Sequence, residues 1–333
     1  MLNLNLLYAK QKKDRYVLSK KSELTFAAKA GVNLDIFNKY GNIIINTWQR
    51  DSVVVEVNVE AKGKQKSDAQ RILDRVEIVH QQYKNDLTIS SEFDTKQNEV
   101  VEWVKSFWQS AKSLVLDENN LQVNYTIYMP ESANLILENK FGDVIFGGDV
   151  YGKIELNLLH GNLKAAYMEG TTFLDMKFVK AEIASMKKAE IDIKFGDLEL
   201  KEAKELKLKN LSADVEIKKV RKLNITTKNA RLKISEVDSL SGTSVFGKID
   251  VGKVNYDLSL DVQFGYLHID SLPPSFQLLD VKAKSTDIEV LIGKKTNYQL
   301  DLTAQEKGLT LPIYLQYIDR QKVEDKNVKL FDV

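Results

Sequence analysis

Two aspartates, Asp197 and Asp214, stand 17 residues apart in a chain whose neighbouring segments repeat at the same interval. If each repeat is one coil of a stack, their carboxyl groups lie roughly 5 Å apart, the separation at which a retaining glycosidase holds its acid and its nucleophile. The chemistry would be cleavage of a glycosidic bond. Against it, the surrounding repeats carry no long insertion to wall a substrate cleft, and Lys180 and Arg231 flank the pair as structural counter-ions would. His80, His160 and His268 are far apart and occupy different repeat positions, so they do not converge on a metal. Gly293-Lys294-Lys295-Thr296 lacks the earlier glycine of a phosphate loop. No Gly-x-Ser-x-Gly elbow, His-Glu-x-x-His helix or calcium-binding nonapeptide occurs. The expectation is a non-enzyme with no catalytic residue, no cofactor and no metal.

What must position any functional residue is a repeat. The phrase NKYGNIII at Asn38–Ile45 returns as NKFGDVIF at Asn139–Phe146, then as KFGDLEL, VFGKIDV and QFGYLHI. Aligned on the glycine, the series runs Gly142, Gly161, Val179, Gly196, Ala213, Ala230, Gly247, Gly265 and Thr286, at spacings of 19, 18, 17, 17, 17, 17, 18 and 21 residues. Two and four residues after that position the chain is almost always apolar, as in Leu198/Leu200, Val215/Ile217 and Leu232/Ile234, with mostly polar residues between. A period of two marks a half-buried strand. A second alternating run lies seven, five and three residues before it, so each unit is read as two short strands.

A unit of this length cannot enclose a core alone, whereas stacked copies share one apolar column. The expected fold is all-β, a β-solenoid of about nine coils of 17–19 residues with an N-terminal strand and helix capping region. The glycine is expected to supply positive φ at the turn. The aromatic before it (Phe141, Phe178, Phe195, Phe246 or Phe264) is expected to stack along a seam. Equivalent outward residues fall about 4.8 Å apart on adjacent coils, so like charges there repel. The run Glu182, Glu199, Glu216 therefore needs compensation from lysines such as Lys201 and Lys218.

Composition narrows the function. The 333 residues carry 48 Lys and Arg against 47 Asp and Glu, a net charge of +1, which argues against a globally basic nucleic-acid binder. With no cysteine there is no disulfide, thiolate metal site or cysteine nucleophile. No stretch approaches the roughly 20 apolar residues of a membrane-spanning helix.

Outside the repeat, Ser67 and Gln70 read as a capping box opening a helix of about ten residues with Ala69, Ile72, Leu73 and Val76 on one face. Residues 98–120 carry Trp103, Phe107 and Trp108, expected as a cap over the coil stack or, if exposed, as a contact surface. MLNLNLLYA, ending at Ala9 before KQKKDR, looks like the tail of a secretory signal. The expected organisation is 1–23, disordered or residual signal; 24–130, N-terminal strands with the capping helix and aromatic insertion; 131–316, solenoid repeats; and 317–333, an edge strand or tail.

The phrases NKYGNIIINTWQRDSVVVEVNV, SDAQRILDRVEI and NKFGDVIF, followed by serial FGDLEL-like units, resemble a bacterial adhesin-like β-strand-repeat family of unknown function, over roughly Leu24 to Leu315. The resemblance implies a β-solenoid exported to the cell envelope, periplasmic or surface-exposed, with an unknown protein or polysaccharide as partner. Its motifs are structural, so no site residue carries over, and the chain lacks a lipid-attachment cysteine. The leading expectation is a rigid envelope scaffold. The alternatives are a carbohydrate-active enzyme using the acidic stack and an envelope-stress or sensory accessory protein.

Overall fold

A computed structural model describes residues 5–6, 10–12, 15–93, 120–293 and 328–332, with side chains described for 16–93 and 120–293. The fold is an all-β solenoid of about nine turns. The chain divides into two compact units, Met1–Asn162 and Leu163–Val333.

The first unit contains β1 (Asn5–Leu6), β2 (Lys10–Lys12), β3 (Arg15–Ala27), β4 (Asn33–Lys39), β5 (Ile43–Trp48), β6 (Ser52–Gly63), α1 (Lys66–Leu73), β7 (Val76–Tyr83), β8 (Asp86–Phe93), β9 (Leu121–Pro130), β10 (Asn134–Lys140), β11 (Val144–Phe146) and the start of β12 (Ile154–Lys194). β4 and β5 form one coil, and β10 and β11 the next, in parallel register: Asn33 pairs with Asn134 and Ile43 with Val144. The chain between these two coils is an insertion that extends both coil faces. On one face β8 pairs parallel with β4, and β7 closes the edge antiparallel. On the other, β9 pairs parallel with β5, then β6 and β3 follow antiparallel. The antiparallel strands cover edges that a bare coil would leave open to pairing with another chain. The strand β3 begins at Arg15, inside the segment 1–23.

The helix is shorter than its sequence pattern predicts and is capped elsewhere. Its cap is Gln65, whose backbone N–H donates to Asp68 Oδ2 at 3.3 Å, while Ser67 lies within the first turn. Ala69 and Leu73 are buried as expected, and the helix packs on β3 and β6. Val76 opens β7, because a strand partner in β8 is available to it.

The second unit holds the rest of β12, β13 (Asp197–Leu211), β14 (Asp214–Lys228), β15 (Arg231–Val245), β16 (Lys248–Gln263), β17 (Tyr266–Leu272), β18 (Leu278–Lys284), β19 (Asp287–Ile292) and β20 (Val328–Asp332). Leu198 stands over Val215, Val215 over Leu232, and Leu232 over Ile249. Each regular coil is one strand bent twice, not the two separate strands that alternation suggests. The bends fall where two successive residues both face outward, as at Lys201–Glu202 and Lys204–Glu205. Between them a third inward position, Met186, Ala203, Val220, Val237 or Val254, adds a column to the core.

The corner before the next coil corrects the role given to its glycine. Positive φ falls on the preceding residue: Tyr40, Phe141, His160, Phe178, Phe195, Ser212, Asn229, Phe246, Phe264 and Ser285, all between 46° and 66°. A left-handed non-glycine residue costs about 1–2 kcal/mol. The rings that stack from coil to coil offset part of this: Phe178 on Phe195 at 5.3 Å and Phe246 on Phe264 at 5.1 Å. The glycine instead permits close approach, since a Cβ on Gly265 would run into the carbonyl oxygen of Gly247. Gly161 alone among the aligned glycines also has φ in the left-handed half, at 150°.

Inward positions three residues before the corner include buried Asn38, Asn139, Asn210, Thr227 and Ser244, where apolar residues are expected. The asparagine side chains replace missing backbone partners at the tight corner, while Thr227 Oγ1 donates to Ser244 Oγ at 2.9 Å. Asn210 Nδ2 donates to the Ala213 carbonyl and its Oδ1 accepts from the Ala213 N–H, both at 3.1 Å. Asn139 Nδ2 donates to the carbonyls of Gly41 at 3.0 Å and Gly142 at 3.1 Å. A buried amide satisfied this way avoids the 1–3 kcal/mol cost of an unpaired polar group.

Candidate binding surface

Asp197 and Asp214 are register neighbours, as the 17-residue spacing requires. They stand on an open outer face: the Asp214 side chain is 58% exposed and meets Arg231 Nη1 at 3.6 Å. Lys180, expected to flank the pair, instead reaches Glu182 at 3.3 Å. Among the described residues neither Asp197 nor Asp214 lines a groove of this unit described below, whereas acid catalysis between them would require a site that holds a sugar ring away from water. The acidic run beside them is compensated in part as expected: Lys218 and Lys233 both pair with Glu216, and the Lys218 hydrogen bond holds the Glu216 carboxyl below its ordinary pKa.

The histidines fall apart as their positions imply. His80 meets Phe26 edge-on at 5.4 Å, and His160 stacks on Phe141 at 5.2 Å. His268 lies between Asp270 Oδ1, 2.6 Å from Nε2, and Glu289 Oε2, 3.2 Å from Nδ1. Glu289 also accepts from the Tyr266 hydroxyl at 3.1 Å; burial first, and this carboxylate second, push the phenol up to about 12. Among the described residues no group of three or more His, Asp or Glu side chains could hold a metal ion. Trp103, Phe107 and Trp108 lie outside the described residues, as do Lys294, Lys295 and Thr296.

The second unit carries a surface that the sequence reading overlooks. Just past the second bend of each coil an open groove of about 430 Å³ runs across successive coils. Its floor is the inward column Ala189, Leu206, Leu223 and Leu240. One rim carries Lys188, Glu205, Lys222, Ser239 and Asp257, and the other Lys207, Asn224, Ser241 and Ser259. A second hollow of about 280 Å³ adjoins it over Lys187, Lys188, Lys204, Glu205, Arg221 and Lys222. The groove exists because the bend turns two neighbouring side chains outward and apart, while the next inward residue keeps its side chain in the core. Hydroxyl and amide groups on its polar side are already held: Asn224 Nδ2 donates to Ser241 Oγ at 3.0 Å, and Ser239 Oγ to Asp257 Oδ2 at 3.2 Å. Such a groove can bind an elongated molecule by shape, apolar contact and hydrogen bonds.

Fold and surface together define a β-solenoid repeat protein, the architecture that the adhesin-like resemblance implies. No family profile and no curated protein matches the chain. Among solved structures it is similar to a "putative adhesin" from Parabacteroides distasonis, at 14% identity and a TM-score of 0.38 over 81% of this chain and 97% of that one. A "putative adhesin" from Parabacteroides merdae is 11% identical, with a TM-score of 0.36 over 80% and 95% of the two chains. One from Bacteroides fragilis is 13% identical, with a TM-score of 0.31 over 81% and 96%. Among the described residues no helix is long and apolar enough to cross a membrane.

Proposed function

We propose that the chain is a non-enzymatic scaffold of the cell envelope or cell surface that presents a rigid coil face to a protein or glycan partner. The observation that carries this reading is the groove along Ala189, Leu206, Leu223 and Leu240, which repeats the same geometry over successive coils. A site made from backbone ladders is pre-organised, so an elongated partner meets it with little ordering cost on the protein side. Residues Trp103, Phe107 and Trp108 are proposed as a further contact, on their aromatic character alone. The test is a glycan and envelope-protein binding panel run beside a reducing-sugar assay. Binding without sugar release is expected, with Asp197→Asn indistinguishable from the parent. Sugar release that Asp197→Asn abolishes would overturn the scaffold reading in favour of the glycosidase.

A further inference from the structure

Several outward charges of the second unit are matched in ion pairs. Glu190 takes both Lys207 and Lys209, Glu216 takes Lys218 and Lys233, Asp214 takes Arg231, Asp192 takes Lys194 and Asp250 takes Lys248. The bend beside the groove instead gathers cations in register. Lys187, Lys204 and Arg221 occupy the same position in three consecutive coils, nine residues before the corner, with Lys188 and Lys222 next to them. Arg221 touches a carboxylate only at 3.9 Å, to Asp238. Among the described residues Lys187, Lys188, Lys204 and Lys222 make no ion pair, and Glu205 is the single carboxylate in their hollow. Like charges stacked one coil apart oppose the fold, yet here they are concentrated at the mouth of a groove.

Resting on the scaffold reading, we propose that this edge binds an acidic polysaccharide, its chain lying along the coil axis with its carboxylate or sulfate groups on Lys187, Lys204 and Arg221. The cations recur about every 4.8 Å, close to the length of one pyranose ring. The Asn224, Ser239 and Ser241 rim of the groove offers hydrogen-bonding groups to sugar hydroxyls. A single-stranded nucleic acid needs aromatic rings on which bases stack, and no aromatic residue lines the groove. An anionic membrane also attracts clustered lysines but presents a flat surface, whereas these cations line a hollow beside a groove.

The test uses the full chain and measures its affinity for polygalacturonate and heparin, with dextran, a single-stranded oligonucleotide and vesicles containing an anionic phospholipid as comparators. The proposal expects binding to at least one acidic polysaccharide, weakened by rising salt. The triple variant K187Q/K204Q/R221Q is expected to lose about tenfold, three exposed charge contacts being removed. An equal change of charge elsewhere, K164Q/K228Q/K282Q, is expected to leave affinity unchanged. An unaltered thermal midpoint in the first variant shows that loss of binding is not loss of fold. Absence of acidic-polysaccharide binding, equal loss in both variants, or tighter binding to the oligonucleotide or vesicles overturns the inference. Binding of dextran alone, indifferent to both variants, overturns it while leaving the scaffold reading intact; sugar release overturns the scaffold reading and this inference with it.

Discussion

Ile217 tests the stacked interior most directly. Its side chain has no exposure and stands between Leu200 and Ile234 in the two flanking coils. Ile217→Ala removes three buried carbons, about 2.4 kcal/mol at roughly 0.8 kcal/mol each. The bent strands are hydrogen-bonded on both sides and cannot collapse into the space, so a cavity cost of about 1 kcal/mol or more is added, for a total of about 3–4 kcal/mol. The outward residue Thr226 of the same strand gives the contrast: it is exposed, and Thr226→Ala is expected to stay within about 0.5 kcal/mol. The assay is urea unfolding followed by circular dichroism, with hydrogen exchange locating the loss. Because a solenoid is stabilised by nearest-neighbour coil interfaces, protection should fall first in β13, β14 and β15. If Ile217→Ala costs no more than Thr226→Ala, the shared interior column is refuted.

Two further expectations follow from particular positions. Burial first, then Asp86 and Glu155, raise the Asp35 carboxyl above its ordinary pKa, and burial does the same to Glu138 against the opposing pull of Lys140. A raised folded-state pKa gives stability that is present below the unfolded value and lost as pH rises through the folded one; D35N/E138Q should therefore melt higher than the parent at neutral pH, with the gap closing towards pH 4, and a gap that widens on acidification would contradict this. At the corners, Gly265→Ala should cost about 2 kcal/mol or more in urea unfolding because the new Cβ meets the Gly247 carbonyl, whereas Ser212→Gly should be neutral or stabilising by about 0.5 kcal/mol because it relieves a left-handed residue; the reverse order would return positive φ to the glycine.

What the amino-acid sequence determines here is the period and the inward face. Residues 198, 215, 232 and 249 are apolar at a constant interval, and one coil's hydrogen bonds can form only with the next, so the stacking follows from spacing alone. The cationic edge was also legible, since the alignment that places Gly196, Ala213 and Ala230 in one column places Lys187, Lys204 and Arg221 in another. That the edge borders a groove was not legible, because a period of two does not say where a strand bends. Tertiary structure decides the bend, through the consecutive outward pairs and the single inward residue between them. It also decides that Asn33–Trp48 and Asn134–Phe146 are adjacent coils despite the insertion between them. At the corners it assigns positive φ to the residue before the glycine position, where an outward ring can stack on its neighbour. It assigns close packing to glycines such as Gly265, whose Cβ would meet the Gly247 carbonyl, while Val179, Ala213, Ala230 and Thr286 fill the same column elsewhere.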